Sequence, residues 1–280
     1  MIRLALLLVV ALWAGAARAG ETDIALAGLA VTVWDAPQTQ AGPLPPVIFS
    51  HGFHGCATQS RFLMRALAQA GYLVFAPNHR DAICHGGGGS WLDWPEAPFD
   101  RPVAWTDASY RDRAEDIRRL VAALHADAAW RGRIDWGRLA LVGHSLGGYT
   151  VLGLGGAWPS WRLGGVRAVL ALSPYSEPFL HAGTLGGLAV PVMYQGGTLD
   201  VGITPAVERA GGAYAASPPP KYFVTFSGAT HFAWTDLGLR DRDSIVAYSV
   251  AFLDHAVKGA AAPILYRRGT GVADLRFAER

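Results

Sequence analysis

The 280-residue chain is poor in cysteine: Cys56 and Cys84 are the only two. Together with His51, His54 and His85 they match no zinc-ligand spacing, which argues against a metal centre. Charge of one sign is missing too. Lys+Arg number 24 against 22 Asp+Glu. Without Arg3 and Arg18 the two sets are equal. That balance favours neither nucleic acid nor an anionic membrane as partner. Beyond the first twenty residues no apolar run approaches a membrane span, so no stable membrane anchor is expected. Internal repeats and linkers are absent as well, which leaves one domain over residues 20–280.

The start of the chain reads as export signal rather than fold. Arg3 supplies a short positive region, residues 4–14 an apolar stretch, and Ala17-Arg18-Ala19 a small-x-small cleavage site. Residues 1–19 are therefore expected to be a cleaved signal peptide, giving a secreted or periplasmic product. In such a compartment two cysteines suggest a disulfide between Cys56 and Cys84. Two buried thiols, or a partial metal site with His54 and His85, are the alternatives.

Hydrophobic residues make up 51% of the chain, ample for a large core. Short apolar runs rich in β-formers recur at 47–50, 72–77, 139–142, 168–173, 190–195 and 222–226. Helical candidates lie between them at 59–70, 110–129, 146–154, 204–214 and 241–257. Within the second of these Ile117, Leu120, Val121 and Leu124 form one apolar stripe, with Arg111, Asp112, Glu115 and Arg118 towards solvent. Runs apolar on both faces suit parallel strands, and this alternation predicts an α/β, mostly parallel, doubly wound sheet. A strand near 30–34 would form its antiparallel edge.

The sharpest motif is Gly143-His144-Ser145-Leu146-Gly147-Gly148, directly after the strand-like Leu139-Ala140-Leu141-Val142. Strand, G-x-S-x-G, then helix is the pattern of a nucleophile elbow. The serine stands on a strained turn with its hydroxyl exposed, and a Cβ at either glycine would collide with neighbouring backbone. A serine hydroxyl needs a base, and the base needs an orienting acid. In the order nucleophile, acid, histidine, Asp200 follows the strand at 190–195 and His231 the strand at 222–226. Glu177 and Asp236 compete for the acid's place. His144 is expected to pack or hydrogen-bond beneath the site. Oxyanion donors are assigned to the backbone N–H of Leu146 and to that of Phe53, in the Gly-rich segment after 47–50, with His54 as the other possibility.

Residues 81–109 are too long for an ordinary strand-to-helix connection. They carry Gly86 to Gly89, Trp91, Trp94, Trp105 and four prolines. Tryptophan needs burial, so a packed excursion above the sheet's C-terminal edge is expected, walling the substrate cleft. In the competing reading its aromatics only cover the sheet. Trp91, Trp94, Trp234 and His54 are the candidate substrate contacts. A disulfide between Cys56 and Cys84 would tie the oxyanion segment to this excursion.

These residues resemble the α/β-hydrolases of the dienelactone-hydrolase-like superfamily, including bacterial cutinase-type polyester hydrolases and platelet-activating-factor acetylhydrolases. The resemblance runs over about 47–257. It rests on Ser50-His51-Gly52-Phe53, Gly71-Tyr72-Leu73-Val74-Phe75, the elbow, Gly197-Thr198-Leu199-Asp200 and Gly228-Ala229-Thr230-His231-Phe232. It implies an α/β-hydrolase fold, a triad of Ser145, Asp200 and His231, oxyanion donors Phe53 and Leu146, and a substrate contact at Tyr175. The long insert departs from the polyester hydrolases, and Asn78-His79-Arg80-Asp81 leans towards the acetylhydrolases. Serine at the elbow sets the chain apart from enzymes that open dienelactones with cysteine. The expectation is a monomeric serine esterase without cofactor, acting through an acyl-enzyme on small-molecule or polymeric esters with small to medium acyl groups. An amidase, peptidase or acyltransferase on the same triad is the alternative, and a noncatalytic binding protein a remoter one.

Overall fold

A computed structural model describes residues 19–35, 42–84, 86–238 and 240–280. Apart from Ala19, the expected signal peptide lies outside them. Nine strands form one sheet: β1 (Gly20–Leu26), β2 (Leu29–Asp35), β3 (Pro46–Ser50), β4 (Leu73–Pro77), β5 (Leu139–His144), β6 (Val166–Leu172), β7 (Val192–Gly197), β8 (Lys221–Phe226) and β9 (Val272–Ala278). Their order is β1-β2-β4-β3-β5-β6-β7-β8-β9. The six strands from β4 to β8 run parallel, and β1, β2 and β9 are antiparallel additions at the two sides. This is the α/β-hydrolase arrangement, and all six apolar runs became its parallel strands.

The helices are α1 (Arg61–Gln69), α2 (Arg111–Ala126), α3 (Leu146–Leu152), α4 (Glu177–Ala182), α5 (Thr204–Glu208), α6 (Ala213–Ala216) and α7 (Arg242–Lys258). They cover both faces of the sheet. Because side chains alternate along a strand, Ile48 and Leu141 join one core with Ile117, Leu120 and Leu124 of α2. Val47, Phe49, Ala140 and Val142 join the other, with Leu63 and Leu67 of α1 and Phe252 of α7. Burial on both faces is why these strands read as continuous apolar runs.

Four expectations needed correction. The strand near 30–34 is not the edge. Ala27 and Gly28 both adopt positive φ (56° and 75°), a turn that folds β1 back outside β2. The helix expected over 204–214 is two short helices, parted by a turn with Gly211 at φ 72°. The C-terminal segment, which periodicity left unassigned, buries Leu265 completely and then pairs β9 with β8. The excursion divides into a packed root and an exposed tip. Trp105 is 3% exposed and packs on Phe99, Tyr110 and Tyr175 with ring centroids 4.8–5.4 Å apart. Trp91 and Trp94 are 75% and 91% exposed. Tryptophan's need for burial was met only where α2 and the elbow supplied a surface. At the tip, local bonds such as Ser90 N–H to Asp93 Oδ2 (2.7 Å) hold the turn.

Cys56 and Cys84 form a disulfide with their Cα atoms 5.8 Å apart. It joins the loops that follow the neighbouring strands β3 and β4.

Candidate active site

Ser145 sits between β5 and α3 with φ 56° and ψ −117°, a conformation a non-glycine residue holds only under constraint. Its N–H donates to Leu172 O (3.0 Å), and its own carbonyl accepts from Tyr149 and Tyr175 N–H (3.1 and 3.0 Å). The flanking glycines are required on steric grounds. A Cβ at Gly143 would run into the Gly147 carbonyl, and one at Gly147 into that of Ser50.

Asp200 and His231 arrive from the ends of β7 and β8. Ser145 Oγ lies 2.9 Å from His231 Nε2, and His231 Nδ1 lies 3.1 Å from Asp200 Oδ1. Asp200 is buried, while His231 is partly open to solvent. The rival acids are occupied elsewhere. Glu177 pairs with Arg209 (3.0 Å), and Asp236 Oδ1 accepts from Phe62 N–H (3.3 Å).

Two hydroxyls that sequence reasoning missed complete the acid's surroundings. Ser173, buried just beyond β6 with φ 42°, donates to Asp200 Oδ2 (2.5 Å), and its Oγ lies 2.7 Å from His231 Nδ1. Thr204 donates to the same carboxylate oxygen (2.9 Å). With Nδ1–H shared between Asp200 and Ser173, Nε2 is left as the acceptor facing Ser145. Position after the strand following the elbow was the available signal for Ser173. Nothing local distinguished Thr204.

Beneath the nucleophile runs a second chain of bonds. Gly52 N–H donates to Gln59 Oε1 (3.1 Å), Gln59 Nε2 to His144 Nδ1 (3.0 Å), and His144 Nε2–H to His231 O (2.8 Å). Burial, helped by the neighbouring His231, pushes the His144 imidazole down to about 3. Neutral at physiological pH, it both donates and accepts, which is what this chain of bonds needs.

Phe53 and Leu146 flank the serine. Built onto Gly52, a Cβ would stand 3.3 Å from Ser145 Cβ, so this backbone passes directly beside the nucleophile. Leu146 is the first residue of α3. Among the described residues neither the Phe53 nor the Leu146 N–H donates to a protein acceptor. Phe53 stacks on His54 (3.9 Å) and meets Phe99 (5.5 Å), and Trp91 stands edge-on to His54 (5.7 Å).

The other expected substrate contacts separate. Tyr175 is largely buried, and its hydroxyl donates to Phe99 O (2.7 Å), so it joins the elbow to the excursion's root. Trp94 extends into solvent at the tip. Trp234 is corrected outright. It is completely enclosed, its indole N–H donates to Gln195 Oε1 (2.8 Å), and it has no surface to offer a substrate.

Among the described residues no cluster of His, Cys, Asp or Glu could hold a metal ion. Likewise, no helix among them is long and apolar enough to cross a membrane.

No family model matches the chain. Curated proteins do. The bis(hydroxyethyl) terephthalate hydrolase of Streptomyces coelicolor is 24% identical over 246 residues, covering 82% of this chain and 65% of that protein. Cutinase 1 of Thermobifida cellulosilytica is 33% identical over 192 residues, 67% of this chain and 60% of its own length. Cutinase est1 of Thermobifida alba is 32% identical over 214 residues, 75% and 60%. The chain thus spans less than two thirds of the length of each. The resemblance to cutinase-type α/β-hydrolases holds across these relatives. The acetylhydrolase and dienelactone branches rest on the sequence motifs alone.

Proposed function

We propose that the chain is a serine hydrolase of carboxylic esters, with Ser145 as nucleophile, His231 as base and Asp200 as the acid that orients it. One observation carries this reading: a serine on a strained positive-φ turn, its Oγ 2.9 Å from the imidazole of a histidine that a buried carboxylate holds. The similarity to proteins named cutinase and terephthalate-ester hydrolase supports the ester as substrate class.

In the proposed reaction His231 Nε2 takes the Ser145 proton as Oγ attacks the ester carbonyl. The N–H groups of Phe53 and Leu146 receive the oxyanion. His231 then gives the proton to the departing alcohol, leaving an acyl-enzyme that water opens by the same steps in reverse. Asp200, steadied by Ser173 and Thr204, stabilises the imidazolium that forms in each half. No organic cofactor or metal takes part. The wall made by Phe53, Phe99 and Tyr175 supports a preference for small to medium acyl groups. Export, with cleavage before Gly20, accords with the disulfide and with β1 beginning at that residue. The mature chain over 20–280 is a single domain and acts as a monomer.

Hydrolysis of p-nitrophenyl esters of increasing acyl length, repeated with Ser145→Ala, tests this reading. Turnover that falls with chain length and vanishes in the variant is expected, together with labelling of Ser145 by a fluorophosphonate. An unlabelled, folded wild type with no ester turnover would end the proposal.

A further inference from the structure

A fully buried arginine beneath the cleft has no part in the proton-transfer chemistry. Arg113 lies on α2, on the same face as Ile117 and Leu120, with no exposed surface. Its Nη1 donates to His51 O (2.7 Å) and its Nη2 to Gly52 O (3.2 Å). Nη2 also meets both oxygens of Asp81 (2.8 and 2.7 Å), and Asp81 Oδ2 in turn accepts from His54 N–H (3.2 Å). One guanidinium and its counter-ion therefore hold three consecutive main-chain units of the segment from His51 to His54.

The neighbouring histidine acts on the same carbonyl. His51 Nε2 accepts from His79 N–H (3.0 Å), so its proton is on Nδ1 and is donated to Gly52 O (2.7 Å). Burial, with Arg113 next in importance, keeps that ring neutral, its pKa well below the usual histidine range. Gly55 N–H supplies a third bond to Gly52 O (3.0 Å). The Gly52–Phe53 peptide is trans, since the one cis bond described is Pro219–Pro220. In a planar trans peptide C=O and N–H point in opposite directions. Gathering the Gly52 carbonyl onto Arg113 and His51 therefore turns the Phe53 N–H away from them. The backbone that carries it lies beside Ser145.

We propose that Arg113, together with His51, is a positioning residue that aims the Phe53 N–H at the oxyanion formed on the ester carbonyl. This rests on the hydrolase reading above. A buried ion pair is a poor source of stability compared with apolar packing of the same volume. Aiming a peptide plane needs the two-pronged geometry of a guanidinium, which a lysine ammonium cannot reproduce. Asp81 supplies the charge that makes the burial tolerable. Burial alone would raise its carboxyl, but Arg113 outweighs that and, with His51, holds it far below the usual carboxylate range.

The test uses the full chain with Arg113→Lys, which keeps the charge opposite Asp81. A second variant, Arg113→Met with Asp81→Asn, removes both charges together. Kinetics with a p-nitrophenyl ester are measured beside inhibition by two compounds. An alkyl trifluoromethyl ketone forms a tetrahedral oxyanion adduct with serine, and a dialkyl ether of equal length does not. Both variants should lose about a hundredfold in kcat, the scale of one oxyanion donor. KM and ether inhibition should stay within about twofold, and ketone affinity should fall in step with kcat. Wild-type ketone affinity in Arg113→Lys, or ketone and ether weakening together, would overturn the inference. If instead the wild type turns over no ester and takes no fluorophosphonate label, the hydrolase reading itself falls, and this one with it.

Discussion

The two sides of the cleft are built on different principles. On the side of Asp200 and His231, each group stands in the loop directly after a parallel strand, and short neutral bonds from Ser173 and Thr204 complete the arrangement. On the side of Phe53, the loop is shaped from beneath by a charged, buried network. Arg113 comes from α2, Asp81 and His79 from the segment after β4, and Asp116 pairs with His79 (2.9 Å). The difference lies in what each side must hold. Side-chain groups can be aimed by where a strand ends. A backbone N–H can be aimed only by bonding the carbonyl behind it.

The sharpest way to break the comparison is on the first side. Asp200→Asn should lower kcat on the order of ten-thousandfold while leaving the fold intact, because the imidazole loses its orienting charge. Steady-state kinetics beside circular dichroism check this, and a loss under tenfold would remove Asp200 from the triad. Ser173→Ala serves as the graded comparison. It should cost far less than Asp200→Asn, and Ser173→Thr should restore most of the loss.

Trp234 belongs to the scaffold under that same side. Trp234→Ala should cost about 3–5 kcal/mol of stability, the usual range for a large aromatic removed from a core. A urea titration reads this, and the acyl-length profile of the surviving protein should be unchanged. A changed profile would restore Trp234 as a substrate contact.

Acid should expose both sides at once. His144 and His51 are held neutral by burial, with folded pKa values below the model histidine value of 6.5. The unfolded chain thus binds more protons than the folded one as pH falls below about 6.5. Stability is full above that value and declines towards pH 3, by about 1.4 kcal/mol per pH unit for each such group. Denaturation midpoints between pH 7 and 4 should show the decline, and His144→Asn should flatten it. A midpoint independent of pH would contradict neutral burial.

The smallest effect is expected at the exposed tip. Trp94→Ala should change stability by less than about 0.5 kcal/mol, as ordinary surface substitutions do. Trp91→Ala should be equally mild in stability yet alter the acyl-length profile, because Trp91 stands against His54. Equal profiles for the two variants would leave the tip no part in substrate choice.

How far these features could be read beforehand follows the same division. Each parallel strand announced itself as a short apolar run, because a strand buried on both faces has no polar side to show. The elbow was legible from glycines whose Cβ atoms have no room, and Asp200 and His231 from their places after such runs. Arg113 was not legible. It interrupts an apolar helical face with a charge, and only its distant partners make that placement tolerable. Trp91, Trp94 and Trp105 look alike in sequence, yet one is buried and two are exposed, because burial depends on what the rest of the chain brings beneath each ring.

By itself, then, the sequence determined which runs enter the sheet, where the strained serine stands, and which acid and histidine could reach it. Those are local matters of periodicity, sterics and chain order. Only the tertiary structure decided that Ser173 joins Asp200 and His231, that Trp234 is scaffold, and that Arg113 lies behind the Gly52 carbonyl. Each is a contact between segments tens of residues apart, and hydrogen-bond geometry exists only once both partners are in place.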